Sequence, residues 1–442
     1  MSTCRDFLLL HLTRSGQSPI RLRLGVLQFQ EGVAKRELSA LYALLSDYSS
    51  RIRRLEIDSL PVDALQEMGL VQSSGSTISS ETILESLSFG VLRAGGIEIQ
   101  LLADLVRHTT FPHLKAFSVR FFAPATAFTR EWTFPYSQLQ NLSFQVSVLS
   151  DLPHILSSCS QIRSLNVRLI GGGFESAPGE SFWYPARDVI TFPNLTLLTF
   201  SIHISDWGYE AMRKAVGLLH CPCLISFALI SSSTQYRAHE LESAEHFAAL
   251  TDDFFNTIIS FVSERSRCTE TLTSLRLDGV RTTDRSLTHL LRLLTSLRHF
   301  SFRGAEIPES NPRSRLIQGV FFNDFLWTGI DYDPHPNSFL PALRSLKLEL
   351  SGGWCRSEEL RTMEAVILSR ITDREGVAGL ESVFLEMPED AVQEEKALAG
   401  LIEAQQNDDV AIKVFGHRTQ KVLVDCFPEF ASEHNGTVSA TA

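Results

Sequence analysis

The chain has 442 residues, a formal net charge of −11, 44% hydrophobic and 21% charged residues, and seven cysteines. That balance excludes a disordered polymer and argues against general nucleic-acid binding or attraction to an anionic membrane surface. The cysteines are scattered and odd in number, which reads as reduced thiols in a cytoplasmic or nuclear protein.

At the N-terminus, the apolar run Phe7 to Leu10 with Leu12 is too short for a signal-peptide core, and no small-residue cleavage site follows. No later segment reaches the roughly twenty apolar residues of a membrane span. Arg36 to Tyr48 places Leu38, Leu41, Leu44 and Leu45 on one helical face, and Pro61 suits the first turn of a helix holding Leu65 and Met68.

From Leu84 onward a short pattern, Leu-x-x-Leu-x-Leu, recurs about a dozen times along the chain. It is clearest at Leu272 to Leu277 and at Leu343 to Leu348. Looser copies are Leu84 to Phe89, Leu114 to Val119, Leu139 to Phe144, Ile162 to Val167, Leu195 to Phe200, Leu224 to Leu229, Leu297 to Phe302 and Leu380 to Leu385. The closing Leu-x-Leu alternates at period two, so each copy is a short strand with one apolar face.

Between copies the period changes to 3.6. Ile99 to Val106 and Leu149 to Leu156 read as short helices, and His239 to Ser263 as a long one with Leu241, Phe247, Leu250, Phe254 and Ile258 inward. Asp284 fits the N-cap of a helix carrying Leu287, Leu290, Leu291 and Leu294. A lone strand cannot bury its apolar face, whereas stacked neighbours can. The expected fold is therefore an α/β leucine-rich-repeat solenoid, an irregular horseshoe with a curved, mainly parallel sheet inside and helices on the convex side. It is expected over 1–387, with a C-terminal capping unit at 388–431 containing an apolar strand from Val410 to Phe415, and a disordered tail at 432–442.

The repeat spacing wanders from about 23 to about 50 residues, against the usual 20 to 29. The excess lies in insertions at Ala123 to Pro135, Gly171 to Pro185 and Ala305 to Ser338, which carry Trp132, Trp183 and Trp327. These aromatics either anchor a partner or fold back over the edge of the solenoid. The sequons at Asn141 and Asn194 fall in expected strands and read as chance matches.

No catalytic arrangement is specific. There is no G-x-S-x-G elbow, no phosphate loop and no H-E-x-x-H helix. Cys221-Pro222-Cys223 has no second ligand pair at zinc spacing, so no metal and no cofactor is expected. Asp331-Tyr332-Asp333-Pro334-His335 could support a hydrolase, but a proline-flanked surface turn accounts for it. The chain reads as a binding protein and not an enzyme.

The informative surface is the polar side of the strands. In each copy, three positions point away from the apolar face. The first is mostly small: Ser86, Ala116, Asn141, Ser164, Ser226, Ser274, Ser345 and Ser382. Further along, Arg120, Gln145 and Arg168 should form one polar row, and Arg276, Arg303 and Lys347 a basic cluster. They are candidate contacts for a protein partner with an acidic surface; an ordinary solvated sheet face is the alternative. Phe384 is the one aromatic among these positions, so stacking of single-stranded nucleic acid is not expected.

The stretch Leu12-Thr13-Arg14-Ser15-Gly16-Gln17-Ser18-Pro19-Ile20, with Phe111-Pro112-His113-Leu114 and Phe192-Pro193-Asn194-Leu195, resembles the repeat body of fungal F-box proteins with leucine-rich repeats. In that family a Leu-x-Arg-Ser-Gly-x-x-Pro-Leu segment joins the F-box to the first strand. The resemblance covers about Phe7 to Met387 and implies the substrate-recognition part of a cullin-type ubiquitin ligase. A Skp-type adaptor would bind only through an F-box upstream of this junction, where only a few residues stand here. A ligase-independent binding or inhibitor protein is the other reading. The asparagine that follows the strand in regular repeats is replaced by Leu60 and Val280, so no asparagine ladder is expected.

Overall fold

The computed structural model describes residues 9–24, 48–57, 83–91, 112–121, 136–146, 151–169, 189–202, 206–231, 253–280, 282, 284–304, 339–349, 357–371, 377–387, 400–401, 403–404 and 410–416. The protein is α/β. Thirteen strands form one mostly parallel sheet that does not close into a barrel. The chain divides into two compact units, Met1–Leu224 and Ile225–Ala442. Among the described residues no helix is long and apolar enough to cross a membrane.

The first unit contributes β1 (Ile20–Leu24), β2 (Ile52–Ile57), β3 (Ser86–Val91), β4 (Ala116–Phe121), β5 (Asn141–Val146), β6 (Ser164–Leu169) and β8 (Leu197–Ile202), side by side in that order. The strands β7 (Ile190–Thr191) and β9 (Leu219–His220) pair separately. The helices α1 (Asp151–Ser157) and α2 (Asp206–Gly217) lie between strands in the chain. In α1, Pro153 sits in the first turn, where its missing N–H costs nothing. Leu152, Ile155 and Leu156 recur at helical spacing and are fully buried. Among the described side chains of α2, Met212, Ala215 and Val216 are buried.

The second unit contributes β10 (Ser226–Ser231), β11 (Ser274–Val280), β12 (His299–Gly304), β13 (Ser345–Glu349), β14 (Ser382–Met387) and β15 (Ala411–Gly416), again in chain order and parallel. The strand expected at Val410 to Phe415 is thus β15, paired directly to β14. Of the long helix expected from His239, residues 253–260 are described and helical. They run on into a π-turn at Phe261–Arg265, with Phe254 and Ile258 buried. The helix α3 (Asp284–Leu293) begins at the residue expected to cap it and buries Leu287, Leu290 and Leu291, with Leu294 just beyond its end. In α4 (Ser357–Ser369), Met363, Val366 and Ile367 are buried. Its Glu364 carboxylate accepts the N–H groups of Gly400 (2.7 Å) and Leu401 (3.2 Å), tying that segment to the helix.

The Leu-x-x-Leu-x-Leu pattern maps onto the core position by position. The first residues of the copies, from Leu84 to Leu380, are all at most 4% exposed, as are the described residues of the fourth and sixth places. Burial of an apolar side chain of this size contributes about 1.5–3 kcal/mol, so the repeated pattern is the main source of cohesion in both units.

A second regularity lies in the backbone. At many strands the carbonyl just ahead of the strand accepts two successive N–H groups from the next one. Lys115 takes Gln140 (2.7 Å) and Asn141 (3.0 Å), and Gln140 takes Arg163 (2.7 Å) and Ser164 (3.0 Å). In the second unit, Thr273 takes Arg298 and His299, Arg298 takes Arg344 and Ser345, and Arg344 takes Glu381 and Ser382. These shared acceptors fix neighbouring strands in register.

The segment from Leu12 to Ile20 has its own physical logic. Residues 9–14 are helical, Gly16 ends the turn at φ +55°, where a Cβ is disfavoured, and Leu12 and Ile20 are buried. Arg51, just before β2, donates from Nη1 to the Leu12 carbonyl (3.3 Å). Its Nη2 donates to Ser15 Oγ (2.6 Å) and to the Ser18 carbonyl (3.0 Å). A cation at a helix C-terminus is favourable in its own right.

One expectation is corrected. Asn194 does not lie in a strand: Pro193 holds the chain in an exposed turn ahead of β8, because it has no N–H to give a sheet. Asn141 does begin β5.

Candidate functional site

Register decides which polar residues meet. In the second unit Arg276 pairs with Ser301 and Ser301 with Lys347, while Asp278 pairs with Arg303 and Arg303 with Glu349. One row earlier lie Ser274, His299 and Ser345. Strand alternation puts all nine on one face of the sheet, so Arg276, Arg303 and Lys347 are brought together as the sequence suggested.

The structure adds two carboxylates to this cluster. Arg276 Nη2 donates to Asp278 Oδ2 at 2.8 Å. Arg303 Nε lies between Asp278 Oδ1 and Glu349 Oε2, the latter at 3.7 Å. Asp278 Oδ1 is in ion-pair range there, although no hydrogen bond is aligned to it. Lys347 Nζ reaches Glu349 Oε1 at 2.5 Å and also stands 4.6 Å above the centre of the Phe384 ring.

Exposure separates the two signs. The side chains of Arg276, Arg303 and Lys347 are 51%, 41% and 40% exposed, whereas those of Asp278 and Glu349 are 12% and 15% exposed. An approaching molecule therefore meets the cations, held in place by carboxylates largely withdrawn from solvent. Holding charged groups before binding removes part of the ordering cost that a flexible lysine or arginine otherwise carries.

A bulge sets the position of Asp278. The β11–β12 register slips between Asp278 and Val280, and Gly279 takes φ +65°. A Cβ on Gly279 would stand 3.2 Å from both Cβ and the carbonyl oxygen of Ser231. The bulge re-aims the strand end, as such irregularities do beside functional surfaces.

In the first unit, Gln145 pairs with Arg168, and Gly90 with Arg120. Arg168 is exposed, and among the described residues it makes no ion pair or hydrogen bond. For Arg120 only the backbone, in β4, is described. Gln145 departs from the expected exposed row. It is 1% exposed, and among the described residues neither its Nε2 nor its Oε1 has a hydrogen-bond partner. The third row is mixed: Gly90 and Asp278 are buried in it as well, whereas Arg168 is exposed. Gln145 is therefore not displayed to a partner in this structure.

Most of the first row is small and half-buried, though Asn141 is exposed, and Ser382 Oγ donates to Ser345 Oγ at 2.8 Å. It also includes exposed Leu197 and His299. The insertions with Trp132, Trp183 and Trp327, and the segment Asp331 to Pro336, lie outside the described residues. Of the close cysteine pair, Cys221 is buried and Cys223 exposed. No group of three or more histidine, cysteine or acidic residues able to hold a metal ion occurs among the described residues.

Sequence reasoning missed the roles of Asp278 and Glu349. The signal was present: Arg276-x-Asp278 and Lys347-x-Glu349 place opposite charges two apart, on the same face of a strand. No protein-family model and no curated protein sequence matches the chain.

Proposed function

We propose that this chain recognises another protein, as a leucine-rich-repeat solenoid whose exposed sheet face carries the contacts. The observation that carries the reading is the cluster of Arg276, Arg303 and Lys347, half-exposed over the nearly buried Asp278 and Glu349. Fixed cations on a sheet face suit an acidic partner surface. The solenoid reading is supported by the repeated shared-acceptor carbonyls and by the Leu-x-x-Leu-x-Leu positions, buried in copy after copy. By its resemblance, carried by the junction motif from Leu12 to Ile20, the chain would act as the substrate-binding part of an F-box ubiquitin-ligase receptor; a ligase-independent binding or inhibitor protein is the alternative.

The test is affinity purification of the full-length endogenous protein beside a variant carrying Arg276→Glu and Lys347→Glu. The reading expects a defined partner set that the variant loses while remaining folded. A Skp-type adaptor and cullin retained by both proteins would place it in a ligase, and their absence would favour the ligase-independent form. An unchanged partner set in the variant overturns the site.

A further inference from the structure

We infer that the space over Ser301 is the seat of one carboxylate, supplied by an aspartate or glutamate side chain in an extended segment of the partner. The inference rests on the recognition reading above and specifies its chemistry.

Ser301 is the small centre of the grid. Arg276 and Lys347 flank it on adjacent strands, and His299 and Arg303 lie two residues before and after it on the same strand face. Adjacent strands stand about 4.8 Å apart, so the two flanking cations rise from backbones about 10 Å apart. Only a serine side chain lies between them. The cationic heads turn to Asp278 and to Glu349 and Phe384, and both side chains are long enough to lean over Ser301, where one carboxylate can accept from both at about 2.8 Å each.

The three cations are not equally engaged. Arg303 is held between two carboxylates. Among the described residues Arg276 makes one ion pair, through Nη2, which engages one of its five N–H donors, and Lys347 makes one ion pair and a ring contact. The pair with donors to spare is therefore the pair that flanks Ser301.

Charge selects the occupant. With the next strands included, four cations (Arg276, Arg303, Lys347, Lys413) less three carboxylates (Asp278, Glu349, Glu386) on this face leave a single positive charge. A monoanion neutralises it. A doubly charged phosphoryl group would leave an excess negative charge beside two nearly buried carboxylates, which is unfavourable.

Ser301→Asp supplies the carboxylate from within, and Ser301→Asn supplies the same shape without charge. At low ionic strength the Asp variant should melt above the Asn variant by roughly 2 °C, and the difference should fade in about 1 M salt, where exposed charges are screened. The partner captured by the wild-type protein should be kept by the Asn variant and lost by the Asp variant. An Asp variant that melts at or below the Asn variant in low salt overturns the inference, because Asp278 and Glu349 then already saturate the cations. Retention of the partner by the Asp variant also overturns it. If either occurs while Arg276→Glu with Lys347→Glu still abolishes capture, the recognition surface stands and only the carboxylate seat fails.

Discussion

Replacing Arg51 by methionine should loosen the N-terminal segment without unfolding the sheet. Arg51 makes four contacts with residues 12–18: Ser15 Oγ at 2.6 Å, the Ser18 carbonyl at 3.0 Å from Nη2 and 3.3 Å from Nε, and the Leu12 carbonyl at 3.3 Å. It also lies 5.4 Å from the centre of the Tyr48 ring. The two shorter bonds are sound and the two longer ones weak. Hydrogen bonds to a charged group contribute about 1.5–3 kcal/mol each, but partial exposure screens them. Together with the ring contact the loss should be about 2 kcal/mol. By the rule that 1.4 kcal/mol is tenfold, that quickens local opening by about 30-fold.

Hydrogen exchange reads this directly at Ser15, Gly16 and Ser18, whose N–H groups bond to the carbonyls of His11, Thr13 and Ser15. Arg51→Lys keeps the charge but not the fork, and should show an intermediate effect. Unchanged protection at these three amides in Arg51→Met would refute the claim that Arg51 is what braces the junction.

Two further outcomes follow from buried groups. Gly279→Ala forces φ +65° on a residue with a Cβ and drives that atom to 3.2 Å from Ser231. It should cost about 2 kcal/mol in urea unfolding, and a midpoint equal to wild type would show that the bulge is not needed. Burial pushes the Cys159 thiol up to about 12 and the Cys268 thiol up to about 11, and raises Tyr136 in the same direction. A raised folded-state value means that their contribution is full below the unfolded value, about 8.5 for a thiol, and is lost as pH rises through the folded values. Stability should hold to about pH 8.5 and fall between pH 9 and 12. A Cys159→Ala, Cys268→Ala protein should show a shallower fall, and an identical slope would remove the two thiols as its cause.

The sequence made the strands legible because their apolar positions must alternate to be buried on one face. Leu272, Leu275 and Leu277 could occupy no other local structure so economically, and they are buried. The helices at Asp151 and Asp284 were legible for the same reason at period 3.6. The site was only half legible. Register could be inferred by aligning the copies, which correctly brought Arg276, Arg303 and Lys347 together. Gln145 misled because alternation gives the face of a residue but not what lies over it. The bulge at Gly279 was not legible either: a glycine after an aspartate reads as an ordinary turn, and only φ shows that the strand continues past it. The part played by Asp278 and Glu349 depends on their burial beneath the cations, which period-two alternation does not report.

The most direct measurement of the central claim is photo-crosslinking with benzoylphenylalanine placed at two exposed histidines. His299 lies on the polar face of β12 beside Ser301, and His289 lies on α3. Recognition through the sheet face predicts a discrete crosslinked partner from position 299 and none from position 289. A partner captured from position 289 alone would contradict it.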